Sequence, residues 1–404
     1  RHEIDWEASS ATAEMILEGT WTNDELDDVM QLLMSHCKKV TALDTQPDFI
    51  TVAEFESKFK IWNERTTTSP SGRHLGYYKA IVKQKWKDSE DPDDVELESK
   101  RTALVQAHVH LINYALSHGY ALQRWKTVVN IMIFKEPGNH KIHRLRVIHL
   151  YEADYNFILG TQWRKLLQQA DRAGTIHPGQ HGGRPGHEAT TLTFMEELKT
   201  DIAYSSLKHL INFDNDAASC YDRIIPALAA LIGRKYGHHR RVIVVNAKTL
   251  KEARFHLKTA LGISEEFYSH CDAYPIYGIG QGSGNSPVIW CFISLTLFDC
   301  HQAQAHGAIF ESPDCSESLR ITMVGTVDDS TGQVNDFLHD QQPYPKILLE
   351  CMTHNAQLWS DLLWFSGSLL ELSKYSYHFL YFDFKPNCTA MPRAGQVGPP
   401  LTVE

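Results

Sequence analysis

Apolar residues recur along this chain at two periods, one helical and one alternating, and the switches between them mark its elements. Leu26, Met30, Leu33 and Met34 share a helical face, Asn23 or Asp24 is placed to cap it, and residues 1–60 read as helical. A turn-rich break, Thr66 to Gly72, separates this segment from a helix expected around 100–118. The acidic run Glu90-Asp91-Pro92-Asp93-Asp94 reads as a solvated loop. Val128 to Phe134 is apolar and β-branched enough for a strand, a Pro-Gly turn follows at 137–138, and Leu145 to Ile148 returns as its partner. A loop at 177–188 precedes a helix around 188–203, and Leu210 to Asp216 reads as a strand that ends in acids. Residues 227–270 mix helical runs with basic residues. Ser286-Pro287 supplies an N-cap and first turn for a helix running to about His306. A hairpin is expected at 319–334 with Asp328-Asp329 at its tip, then a helix near 344–366 and strands at 376–384. Beyond Lys385 the chain is a Pro/Gly-rich tail, and no internal repeat is visible.

The 404 residues are enough for two or three subdomains, and 43% hydrophobic content belongs to a globular chain. No apolar run approaches the roughly 18 residues of a membrane span. The chain opens at Arg1 without a basic-then-apolar leader, so the expectation is an intracellular protein, nuclear or cytoplasmic and not secreted, and a piece of a longer one. Eight cysteines without a Cys-x-x-Cys pair give neither a zinc ribbon nor a disulfide framework. A net charge of −10 is unusual for a protein that binds phosphates, but the distribution is uneven. Residues 124–146 carry six basic side chains against one acid, a local balance of +5, and Arg234-Lys235 with His238-His239-Arg240-Arg241 forms a second cluster.

Two acid-tipped strands, one ending at Asp214-Asn215-Asp216 and one adjoining Asp328-Asp329, offer hard oxygen ligands to divalent cations. Nucleotidyl transfer by two metals needs such a pair, because the ions sit roughly 3.5–4 Å apart astride the reacting phosphate. An Asp-Asp pair at a hairpin tip is otherwise ordinary turn chemistry. Asp214 rivals Asp216, lying two residues away on the same strand face. Gly278-Ile279-Gly280-Gln281-Gly282-Ser283 is not a dinucleotide fingerprint, since Ser283 stands where the third glycine belongs. His177, His181 and His187 share one loop but lack the partners and spacing of a structural zinc site.

Taken in order, these segments resemble the reverse transcriptases, most closely those of non-LTR retrotransposons and group II introns, over roughly residues 60–384. Asp216 to Asp222 resembles the first catalytic motif, and Gln281-Gly282-Ser283-Gly284-Asn285-Ser286-Pro287 is similar to Gln-Gly-x-x-x-Ser-Pro. Val327-Asp328-Asp329 resembles the x-x-Asp-Asp hairpin, and Gly367 with Lys374 the fourth motif. Arg146-Val147-Ile148 resembles Arg-Pro-Ile, and Gln180 to Gly186 the Gln-x-Gly-Phe-Arg-x-Gly element. The spacing from Asp216 to Asp222 favours Asp216 over Asp214. Thr326, Gly183, Ser368 and Leu372-Ser373 depart from the family pattern.

The resemblance implies an α+β fold of right-hand polymerase fingers and palm, with an antiparallel palm sheet backed by helices and no thumb legible. It divides the chain into an N-terminal helical extension (1–60), fingers (61–205), palm (206–384, with 227–270 partly fingers) and a tail (385–404). It implies catalysis by Asp216, Asp328, Asp329 and Lys374, with the three aspartates holding two Mg2+ ions, or Mn2+ in their place. Lys374 would serve as general acid toward pyrophosphate or as a neutralising charge. Lys135, Arg146, Tyr221 and Gln281 would bind the nucleotide, with Arg144 competing with Arg146 and Tyr221 excluding a 2′-hydroxyl. Gly282, Ser286, Pro287 and Arg184 would touch the template. The implied partners are an RNA template, a DNA primer and dNTPs, with no membrane. The implied activity is RNA-directed DNA polymerisation; the alternatives are an RNA-dependent RNA polymerase and a non-catalytic copy that only binds nucleic acid.

Overall fold

The computed structural model describes residues 4–64, 69–139, 141, 144–184, 186–271, 275–335, 344–384, 390–392 and 403. The expected break at Thr66-Thr67-Thr68, Pro185 and most of the tail lie outside the described residues. In chain order the first elements are α1 (Ala11–Glu18), α2 (Asp28–Ser35), α3 (Val52–Ile61), α4 (Leu75–Val82), α5 (Pro92–Ser117), β1 (Thr127–Phe134), β2 (Leu145–Leu150) and α6 (Ala153–Arg172). Next come α7 (Ala189–Ser205), β3 (Leu210–Asp216), α8 (Cys220–Arg223), α9 (Pro226–Lys235), α10 (Arg240–Lys251), β4 (Arg254–Thr259), β5 (Gly262–Ser269) and α11 (Ser286–Gln304). The last are β6 (Ala308–Glu311), β7 (Ser318–Ile321), β8 (Met323–Thr326), β9 (Asp329–Asn335), α12 (Tyr344–Ser366), β10 (Ser376–Leu380), β11 (Phe382–Phe384) and β12 (Ala390–Pro392).

Local chemistry explains several boundaries. Asp27, rather than Asn23 or Asp24, caps α2 by accepting from the amides of Val29 and Met30. Thr51 and Glu54 form a reciprocal capping box on α3. The acidic run at 90–94 is not a loop. Asp91 caps α5, Pro92 occupies its first turn, and Asp93 and Asp94 place negative charge at the positive end of the helix dipole. The helix therefore begins eight residues before the expected 100. The expected hairpin at 319–334 is also divided. Ser318–Ile321 pairs with β6, and the acidic hairpin is β8 and β9 alone.

The chain divides into two compact units. The first comprises residues 1–13, 39–170 and 226–289. Its sheet has the order β2-β1-β4-β5, antiparallel except that β1 and β4 run parallel. The β1–β2 hairpin matches the expected one, with Ile131 opposite Ile148. Its core is aromatic: Phe55, Phe59, Tyr78 and Phe157 interlock, with the Phe59 and Tyr78 rings stacked at 4.5 Å.

The second unit comprises residues 14–38, 171–225 and 290–404. Its principal sheet has the order β10-β3-β9-β8 and is antiparallel throughout. Helix α12 packs against β3 and β9, and α2 against α12. A mixture of helices with antiparallel and mixed sheets is compatible with the expected α+β class. Among the described residues no helix is long and apolar enough to cross a membrane.

Candidate active site

Strand β3 lies buried over most of its length, with only Asn212 and Asp214 partly exposed. Leu210, Ile211 and Phe213 are fully buried, and the strand ends on Asp216, itself 7% exposed. Its antiparallel partner β9 places Asp329 directly opposite Asp216, Ser330 opposite Asn215 and Thr331 opposite Asp214. Thr326 pairs with Asp329, so Val327 and Asp328 form a two-residue turn, and the Ala217 amide donates to the Asp328 carbonyl at 3.3 Å. Asp216 and the adjacent pair Asp328-Asp329, more than a hundred residues away in sequence, thereby meet at one end of one sheet. Lys374 joins them: its ammonium hydrogen-bonds Asp216 Oδ2, and the Glu371 amide donates to the Asp216 carbonyl at 2.9 Å.

Buried hydrogen bonds set this register. Asn215 Oδ1 accepts from Ser330 Oγ and from Trp359 Nε1, both at 2.7 Å. Farther along, Gln333 bonds Glu196 Oε2 at 2.6 Å and accepts from Lys199 Nζ at 2.8 Å. Sequence reading found none of these partners, because each joins residues more than 110 positions apart. Asp214, the rival of Asp216, accepts from Thr331 Oγ1 at 2.7 Å and faces His378 Nε2 at 3.2 Å.

The site is electrostatically loaded. Burial, then Asp328 and Asp216, hold the Asp329 carboxyl above its usual range. The hydrogen bond to Asp216 raises the Lys374 ammonium above its usual value, so it stays charged at neutral pH. Burial pushes up the Cys220 thiol and the Tyr221 phenol, and Asp328 adds to both shifts. Asp216 Oδ1 is buried without a hydrogen-bond partner. An orphaned carboxylate oxygen beside two further acids suits a hard divalent cation. Among the described residues, no group of three or more His, Cys, Asp or Glu is gathered to hold an ion by protein ligands alone.

The turn that carries Asp328 is strained. Val327, β-branched, has φ +58°, a left-handed conformation costing about 1–2 kcal/mol. Tyr221 is half-buried on the short α8, behind Ser219 with φ +51°. Arg184 is committed within this unit. Its guanidinium meets Asp171 Oδ1 at 2.9 and 3.2 Å and the Gln180 carbonyl at 3.0 Å.

The remaining predicted residues belong to the first unit. Lys135 and Arg146 are exposed on the β1–β2 hairpin, while Arg144, the competitor, lies 3.6 Å from Glu136. The Gln281 carbonyl accepts from the His149 amide at 2.7 Å, which ties the glycine-rich loop to β2. Ser286 is buried and donates its hydroxyl to the carbonyls of Ile279 (2.8 Å) and Gly280 (2.7 Å), so its role is to shape the loop. Gly282 and Pro287 are exposed. Burial depresses His149 to about 4, leaving it neutral beside this loop.

No protein-family model matches this chain, and no curated protein matches it.

Proposed function

We propose that this chain is the fingers-and-palm core of an RNA-directed DNA polymerase from a retrotransposon-like element, acting inside the cell on an RNA template, a DNA primer and dNTPs. One observation carries the reading: Asp216 stands in register with Asp329, Asp328 occupies the adjoining turn, and Lys374 reaches Asp216. The carboxylates arrive from the two segments that resemble the family's catalytic motifs, and the lysine from the third.

In the transfer, the primer 3′-hydroxyl gives up its proton to water, its oxygen attacks the α-phosphorus of the dNTP, and the bond from that phosphorus to the bridging oxygen breaks to release pyrophosphate. Asp216 and Asp328 are the residues that would hold two Mg2+ ions, which supply charge neutralisation for the triphosphate and the attacking oxygen when bound. Asp329, whose carboxyl burial and the neighbouring carboxylates hold above its usual range, supports the field. Lys374 keeps its proton and can pass it to the departing pyrophosphate oxygen. Tyr221, half-buried near Asp328, would lie beneath the sugar and exclude a 2′-hydroxyl. Lys135 and Arg146 offer a point charge and a planar fork to phosphate oxygens.

Primer extension on an RNA template tests this directly. The protein extends the primer with dNTPs in Mg2+, fails in chelator, and strongly prefers dNTPs to rNTPs. Asp328→Asn lowers kcat by at least about 100-fold while the melting temperature is maintained. Absence of template-directed incorporation by the wild type with either Mg2+ or Mn2+ rejects the proposal.

A further inference from the structure

The left-handed turn at Val327 is held by a side chain that neither the metal site nor the motifs account for. Trp290, on α11 and 2% exposed, donates its indole N–H to the Val327 carbonyl at 2.6 Å. Val327 itself is 40% exposed, so its side chain does not anchor the turn; its backbone does. The same helix holds the turn by a second route. Ser294, one helical turn beyond Trp290, accepts from Gln180 Nε2 at 2.7 Å, and Gln180 Oε1 accepts from the Gly182 amide at 2.7 Å. Gly182 lies against the turn so closely that a Cβ there would sit 2.3 Å from the Val327 nitrogen. The His181 amide donates to the Gly325 carbonyl at 2.9 Å, and the Gly325 amide to the Gly179 carbonyl at 2.8 Å. The segment 179–182 thus lines the free edge of β8 up to the residue before Asp328.

We propose that Trp290 is a positioning residue: its indole N–H, with the Gly182 backbone behind the turn, holds Val327 in the left-handed conformation that directs Asp328 toward Asp216. This rests on the nucleotidyl-transfer reading for its consequence in catalysis, but not for its effect on the turn. A valine at this φ relaxes toward extended backbone when released, and Asp328 turns with it. A glycine occupies the same φ without a steric cost. The strain and its restraint therefore predict a specific rescue.

The test uses the whole chain as Trp290→Phe, Val327→Gly and the double variant. Backbone amide exchange over residues 323–330 reports the turn whether or not the protein is active. Trp290→Phe, which keeps an aromatic ring, though a smaller one, and removes the donor, accelerates that exchange by about tenfold, the scale of one lost hydrogen bond. It also weakens Mn2+ binding and lowers kcat for primer extension by a similar factor, with KM for dNTP within about twofold, since only the aim of the carboxylate changes. Adding Val327→Gly restores most of the Mn2+ affinity and kcat. Unchanged exchange in Trp290→Phe overturns the proposal, as does a loss that Val327→Gly fails to recover, which marks Trp290 as packing only. Faster exchange in a protein whose wild type extends no primer retains the brace and rejects the polymerase instead.

Discussion

Asp329 shows how a single residue can weigh against the stability of the fold at neutral pH. Its folded pKa lies above the ordinary 3.8, because burial and two neighbouring carboxylates disfavour its charge. The folded state therefore holds this proton more tightly than the unfolded chain. Its contribution to stability is fully present below pH 3.8 and is lost as pH rises through the raised value. At neutral pH the ionised group destabilises the fold. Asp329→Asn is expected to raise the melting temperature by about 1–3 °C at pH 7 and to give no gain near pH 3. Thermal unfolding across this range checks it, and a destabilised variant at pH 7 contradicts it. Millimolar Mg2+ stabilises the wild type more than this variant, since the cation relieves the same repulsion. Lys374, whose pKa is likewise raised, follows the same sign: its contribution is fully present below the ordinary 10.5 and is lost as pH rises through the raised value, far above neutrality.

At the scale of elements, the site depends on β3 and β9 keeping one register. A slip by one residue would turn Asp216 into the core and Asn215 outward. Part of the lock is steric. Phe213, fully buried, lies across Gly332 on β9, where an added Cβ would come within 1.8 Å of the ring. Gly332→Ala therefore costs about 2 kcal/mol or more, because neither the ring nor the paired backbone can move aside. Chemical denaturation measures this, and Phe213→Leu in the same background recovers part of it; an unchanged midpoint in Gly332→Ala discounts the contact. Strand β3 is legible from sequence as a local pattern, and the acidic turn to within a residue: the expected tip at Asp328-Asp329 is a turn of Val327 and Asp328, with Asp329 already paired in β9. The exposed strand β5 is not, since Gly262 to Ser269 lies almost entirely on the surface and shows no alternation of burial. The start of α5 is misread for the opposite reason: its acids look like a solvated loop until the helix dipole and Pro92 are weighed together.

For the whole molecule, the net charge of −10 conceals a basic hairpin on which Lys135 and Arg146 are exposed. Binding of a primer–template should weaken steeply with salt, and Arg146→Ala should make the slope of log K against log salt less negative by about 1. A slope identical to wild type removes Arg146 from the phosphate contacts. The sequence by itself determined most of the elements, the acidic tips and their order, because hydrophobic period and carboxylate chemistry are written in contiguous residues; the helix caps it misplaced, since Asp27 and not Asn23 or Asp24 caps α2, and Ser286 stands inside α11 with its hydroxyl donated to the carbonyls of Ile279 and Gly280. Tertiary structure alone decided that Asp216 faces Asp329, that Lys374 closes on Asp216, and that Trp290 and Trp359 brace the two acidic segments. Those contacts span 37 to 158 positions, and chain connectivity sets no preference among such distant partners until packing and buried hydrogen bonds select them.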